Sequence, residues 1–177
     1  AFSAGEFTDV APALGVAIEA SADQGPGCGF ADIDADGDLD IMVVDGLGDP
    51  NALFRQDGLR VFHEVGGSLG VADTGWGKSV TFADYDNDGD QDCYVANEAN
   101  TVNNLYRNDG AGTFTKILTG PHVTDVAESF SASWGDYDND GDLDLVVGNN
   151  GAQTNLLYRN DGTSFTRIVG SPVTTIP

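Results

Sequence analysis

Fifteen of the 29 acidic residues of this 177-residue chain fall in three short stretches. Each stretch sets aspartate at positions 1, 3, 5, 7 and 9 around a glycine at position 6. The first is Asp32, Asp34, Asp36, Gly37, Asp38 and Asp40; the second is Asp84, Asp86, Asp88, Gly89, Asp90 and Asp92; the third is Asp136, Asp138, Asp140, Gly141, Asp142 and Asp144. Two bare carboxylates about 4 Å apart repel by roughly 1 kcal/mol in water and several-fold more near a protein surface. Five within nine residues therefore destabilise a fold unless a cation neutralises them. Alternate residues of a tight loop turn their side chains toward one point, and the glycine allows the sharp bend that closes it. All-oxygen donors select a hard cation, and a flexible cage with several carboxylates suits Ca²⁺ better than Mg²⁺. Side-chain ligation is expected from positions 1, 3, 5 and 9, with the backbone carbonyl contributing at position 7. An EF-hand is the near rival, but it needs Glu at position 12 and flanking helices. Position 12 here is Val43, Val95 or Val147. The bland alternative is a solvated acidic turn, against which stand three copies in one register.

The elements that position these loops repeat with them. Asp32, Asp84 and Asp136 are spaced by 52 residues, and a second motif keeps that period: Asn51 to Gly58, Asn103 to Gly110 and Asn155 to Gly162. A third follows, beginning at Phe62, Phe114 and Phe165, the last arriving one residue early in what reads as a turn. Runs such as Leu39 to Val44, Leu143 to Val147 and Asn104 to Arg107 are short, apolar or alternating, and bounded by Gly, Asn, Asp or Pro. No helical periodicity of useful length appears. The fold expected is all-β: three four-stranded antiparallel blades of about 52 residues, the sequence signature of a β-propeller. One repeat domain spans 1–177, with a leading outer strand and linker over 7–27 and blades over 28–65, 78–118 and 130–169. Phe7 to Ala11 resembles the fourth strand of a blade, and Leu14-Gly15-Val16 echoes Leu69-Gly70-Val71. Closed propellers typically have about 4 to 8 blades. Three blades therefore imply either part of a larger propeller or a homo-oligomer, with a dimer of six blades favoured.

The formal charge of -22, with only 7 basic residues, excludes an ordinary nucleic-acid binder. The 40% hydrophobic content is enough for a core, and the acids are 24 Asp against 5 Glu, which disfavours a helical explanation. No apolar run is long enough to span a membrane, so no membrane insertion is expected. The N-terminus lacks the regions of a signal peptide, so a secreted protein would be met here in processed form. Cys28 and Cys93 show no metal-ligand spacing and read as small buried residues, with a disulfide as the alternative.

The motifs Phe82 to Asp90, Asn104 to Gly110 and Gly112 to Thr115 resemble the FG-GAP/VCBS-type repeat, which forms the calcium-binding blades of integrin α-subunit propellers. The resemblance runs from about Phe7 to Ile168. It implies three Ca²⁺ sites in the loops between the first and second strands of the blades. The ligands it implies are Asp32, Asp34, Asp36, Asp38 and Asp40, then Asp84, Asp86, Asp88, Asp90 and Asp92, then Asp136, Asp138, Asp140, Asp142 and Asp144. The Gly-Ala-Pro half of the family signature is replaced by Asp45-Gly46, Asn97-Glu98 and Gly148-Asn149.

The expected function is that of an extracellular, calcium-stabilised, non-catalytic module for adhesion or recognition of a protein or glycan ligand. The alternatives are a polysaccharide-active propeller enzyme or its accessory domain, and a self-assembling structural unit. Gly66-Gly67-Ser68-Leu69-Gly70 matches the nucleophile-elbow pattern of serine hydrolases but falls in a linker rather than a strand-to-helix turn. His63 stands where Thr115 and Thr166 stand in the other blades and reads as a strand surface residue. Trp76 breaks the repeat and reads as blade packing or a stacking surface, Trp134 as core, and Arg55, Arg107 and Arg159 as intrablade ion pairs.

Overall fold

A computed structural model of the chain describes residues 10–16, 27–46, 49–58 and 60–175. Blade 1 is the sheet β1 (Gly27–Ala31), β2 (Asp40–Val44), β3 (Ala52–Gln56) and β4 (Phe62–Glu64). Blade 2 is β5 (Gly77–Ala83), β6 (Asp92–Asn97), β8 (Asn104–Asn108) and β9 (Phe114–Ile117). Blade 3 is β11 (Ser129–Gly135), β12 (Asp144–Asn149), β13 (Leu156–Asn160) and β14 (Phe165–Ile168). Each sheet runs in chain order with every neighbour antiparallel. The fold is thus three propeller blades, and among the described residues they do not close into a ring. Two further strands, β7 (Thr101–Val102) and β10 (Val126–Ala127), pair with each other and tie blade 2 to the segment entering blade 3.

Alternation along the strands gives each blade two apolar faces, and the faces of neighbouring blades make the core. Met42, Val44 and Leu53 of blade 1 pack with Cys93, Val95 and Tyr106 of blade 2. Tyr94 and Leu105 of blade 2 pack with Leu145, Val147 and Tyr158 of blade 3. The inner strands approach closely enough to require glycine. A Cβ on Gly27 would lie 2.5 Å from the Lys78 carbonyl oxygen, and one on Gly77 would lie 2.7 Å from Val44 Cβ. Trp134 joins the second core, its ring 5.9 Å from Tyr94 and 6.1 Å from Tyr85.

Cys93 is fully buried, its thiol donating to the Met42 sulfur at 3.2 Å, but Cys28 is exposed, which corrects the expectation that both are buried. The reason is position. Cys28 and Phe30 lie on the face of β1 turned away from blade 2; Val80 and Phe82, at the matching positions of blade 2, pack on Gly29 of blade 1, whereas among the described residues no further blade stands against Cys28 and Phe30. Phe30 is 63% exposed as a result. The two cysteines are not bonded to each other.

Single helical turns follow the blades: α2 (Gly66–Leu69), α3 (Pro121–Thr124) and α4 (Pro172–Thr175), with α1 (Ala11–Leu14) ahead of blade 1. The Leu-Gly-Val echo has a structural cause, since Gly15 and Gly70 both end a turn in the left-handed region, at φ 75° and 82°. Val10 precedes α1 as Val65 precedes α2. The strand expected over Phe7 to Ala11 lies largely outside the described residues, and Ala11 itself is helical. Ser68 of the elbow-like pentapeptide sits in α2, where its hydroxyl donates to the Val65 carbonyl at 2.8 Å.

Two asparagines latch the blades together. Asn108, buried at the end of β8, donates from Nδ2 to the Ile33 carbonyl of blade 1 at 2.8 Å and to the Gln91 carbonyl of its own blade. Asn160 repeats this toward Tyr85, at 2.7 Å, and Leu143. Removing such a group leaves buried carbonyls unpaired, at about 1–3 kcal/mol each. Asn108→Ala is expected to lower unfolding stability in urea by about 2–4 kcal/mol. A cost below about 0.5 kcal/mol would show the latch to be dispensable.

Candidate metal centres

Each acidic loop joins the first two strands of a blade, and one hydrogen-bond pattern shapes all three. The position-1 carboxylate folds over the bend and accepts the amides of positions 5 and 6. In blade 1, Asp32 accepts Asp36 N–H at 3.1 Å and Gly37 N–H at 3.0 Å; Asp84 and Asp136 do the same in the others. The position-5 carboxylate accepts the amide of position 7, as in Asp88 accepting Asp90 N–H at 3.0 Å. The glycines hold φ 93°, 99° and 99°, as their placement required.

Position 4 carries a second left-handed residue, Ala35 at φ 58°, Asn87 at 60° and Asn139 at 62°. Asn tolerates this conformation and Ala does not, the difference being about 1 kcal/mol. Ala35→Asn is expected to stabilise blade 1 by about 0.5–1 kcal/mol, read as a rise in the urea midpoint at constant slope. A neutral or destabilising result would mean that the loop relaxes its strain elsewhere.

The position-9 carboxylate is buried and anchors the loop to the sheet. Asp92 accepts Tyr85 N–H at 3.0 Å on one oxygen and Asn108 N–H at 2.8 Å on the other. Asp40 holds Ile33 and Gln56 in the same way, and Asp144 holds Tyr137 and Asn160. This clamp makes position 9 a strand residue and a loop residue at once. Its role was hidden in the sequence because the amides it holds lie 7 positions before it and 16 after it.

Position 3 is the opposite case. Asp34 Oδ1 and Asp86 Oδ1 are buried with no hydrogen-bond partner. Burial, followed by the neighbouring carboxylates, raises the pKa of both residues and of Asp138. Arg55 Nε approaches Asp34 at 3.7 Å but is engaged with Asp57 at 2.9 Å. The same short ion pair recurs as Arg107 with Asp109 at 2.6 Å and Arg159 with Asp161 at 2.8 Å, so these arginines do stabilise the blade internally.

The outcome is three clusters whose carboxylate oxygens lie within 4.8 Å of one another: Asp32, Asp34 and Asp36; Asp84, Asp86 and Asp92; Asp136, Asp138 and Asp144. Asp40, Asp88 and Asp140 flank them as the remaining position-9 and position-5 groups. The position-7 side chains Asp38, Asp90 and Asp142 belong to no cluster among the described residues, and Asp142 instead accepts Asn87 Nδ2–H at 2.8 Å. Buried acceptors with no donor, set among converging carboxylate oxygens in the first two loops, fit the oxygen ligation of a hard divalent cation.

The blades and their acidic loops define the class. A family model described as an FG-GAP-like repeat matches residues 32–95 and 84–147, and the chain belongs to that family. Among curated proteins it is similar to Cartilage acidic protein 1 of Xenopus tropicalis, at 31% identity over 121 residues. The match covers 63% of this chain and 18% of that protein, so it concerns a small part of the longer relative.

Proposed function

We propose that this chain is an extracellular, calcium-stabilised, non-catalytic propeller module that recognises a glycan or protein partner. The single observation that carries the reading is the threefold recurrence of an acidic cluster built to one pattern, with a buried and unpartnered carboxylate oxygen in two of the three. Positions 1, 3, 5 and 9 would hold the ion by their side chains, and position 7 by its carbonyl. The bound cation supplies the positive charge that lets these loops pack against the strands. Low-affinity extracellular calcium modules work at roughly 10⁻⁴–10⁻³ M, a concentration absent from the cytosol. A relative named for cartilage is in keeping with that setting. No helix among the described residues is long and apolar enough to cross a membrane.

The exposure of Phe30 and Cys28 on the outer face of blade 1 supports completion of the ring by further blades, whether from a longer chain or a second copy. A glycan array run with a matched hydrolysis assay in millimolar Ca²⁺ tests the recognition reading. Binding without turnover supports it, and turnover supports a polysaccharide-active enzyme instead. An empty array together with a discrete oligomer in sedimentation favours a purely structural unit.

A further inference from the structure

The one-residue deletion in the last blade falls at the cleft between blades 2 and 3. Its counterpart between blades 1 and 2 holds Ile33, 1% exposed, in one core cluster with Phe114. There the turn after β8 packs on that isoleucine, with Gly112 in the left-handed region at φ 71°. In the second cleft Tyr85 replaces Ile33, and the turn shrinks to Gly162, Thr163 and Ser164 before Phe165. The asparagine latches to Ile33 and Tyr85 are the same in both clefts, so the backbones keep one register and the difference lies in the side chains and the turn. A cavity of about 420 Å³ opens there, lined among others by Tyr85, Arg107, His122, Thr163, Ser164 and Phe165. Its size falls within the roughly 300–1,000 Å³ typical of small-molecule sites.

His122 is the feature the rest of the fold leaves unexplained. It is 4% exposed, its ring lies 4.1 Å from that of Phe165, and neither Nδ1 nor Nε2 has a hydrogen-bond partner. Burial moves its pKa down to about 4, so the ring is neutral at pH 7, with one nitrogen donating and the other accepting. A buried polar atom without a partner costs about 1–3 kcal/mol. A hydroxyl group, which both donates and accepts, complements such a ring. Tyr85 stands 5.8 Å from Phe165 and adds an aromatic wall to the cleft. Arg107 is paired with Asp109, and Asp86 belongs to the acidic cluster of its own loop. Apart from that ion pair and the loop carboxylate, the cleft offers aromatic surface and uncharged hydrogen-bonding groups. The chain's charge of -22 disfavours acidic ligands further.

From this cavity, its aromatic wall and its unpartnered buried imidazole, we infer that the cleft between blades 2 and 3 binds one neutral sugar residue of a glycan. The inference rests on the recognition reading and gives it a location and a ligand class. The test uses the full chain in Ca²⁺, with its histidine rings labelled with ¹⁵N, titrated with a panel of neutral hexoses and N-acetylhexosamines up to about 100 mM. At least one sugar is expected to shift the His122 ring nitrogens saturably, with dissociation constants of the order of millimolar. His122→Phe keeps the stacking on Phe165 and removes both hydrogen bonds, so it is expected to weaken binding about tenfold or more. Thr163→Trp, in an exposed turn at the cleft's rim, is expected to block binding while leaving the calcium-dependent melting temperature unchanged. The inference is overturned if no sugar moves the His122 nitrogens, or if binding survives equally in Thr163→Trp. Failure of the calcium reading would look different: the melting temperature of the unmodified protein would then ignore chelator.

Discussion

Chelating divalent cations is expected to lower the melting temperature of this protein by about 10 °C or more, and re-addition of Ca²⁺ restores it. A ligand present at 1,000 times its dissociation constant stabilises the state it binds by about 4 kcal/mol per site. For a chain of this size 1 kcal/mol moves the midpoint by about 2–4 °C. Three clusters that share no side chain give three such contributions, so partial loss already produces a shift of this size. The effect depends on pH in a fixed direction. Without a cation, burial raises the Asp92 carboxyl from 3.8 to about 7. A raised folded pKa contributes stability that is fully present below the unfolded value and is lost as the pH rises through the folded one. The cation-free fold is therefore weakened between about pH 4 and pH 7 by this group, and the difference between calcium and chelator widens over that interval. Thermal unfolding at pH 4.5, 6 and 7.5, each with and without chelator, reads both effects. Coincident curves at pH 7.5 would refute the metal reading altogether.

Two substitutions in one loop separate ligation from mere acidity. Asp92→Ala removes a carboxylate that holds the Tyr85 and Asn108 amides, and leaves both donors unpaired in the interior. At about 1–3 kcal/mol each, the loss is expected to be about 3–5 kcal/mol, with calcium affinity at that loop reduced at least about 100-fold. Asp90→Ala, two residues earlier, removes a side chain outside the cluster and keeps the carbonyl that position 7 contributes. It is expected to cost less than about 1 kcal/mol and to change calcium affinity only a few-fold, through lost long-range attraction. Calorimetric titration of the two variants against the unsubstituted chain measures the contrast. Equal losses of affinity would show that the loop acts as a diffuse acidic surface rather than as a set of directed ligands.

Much of this was legible in the residues themselves. The 52-residue spacing, the Asp-x-Asp-x-Asp-Gly-Asp-x-Asp pattern and the Asn-Asp-Gly turns are local codes, read within a few positions by backbone conformation and charge. The left-handed glycines at 37, 89 and 141 and the strands that flank each loop follow from them. The one-turn helices escaped notice, since four residues carry no periodicity, although the repeated Leu-Gly-Val marked where two of them end.

What depends on neighbours distant in sequence could not be read that way. That Cys28 is exposed while Cys93 is buried was decided by which blade face has a neighbour, a fact of assembly rather than of residue type. That Asn108 and Asn160 join blades, where their setting shows only turn chemistry, depends on carbonyls 75 residues away. That His122 is buried without a partner, beside a cavity, follows from a tyrosine in one blade and a shortened turn in the next. The blades and the carboxylates of their loops are encoded locally, because turn geometry and like-charge repulsion act over a few residues. Which carboxylates converge, which faces stay exposed and where a cleft opens are settled by packing, because they depend on how one blade's side chains fill the space beside the next.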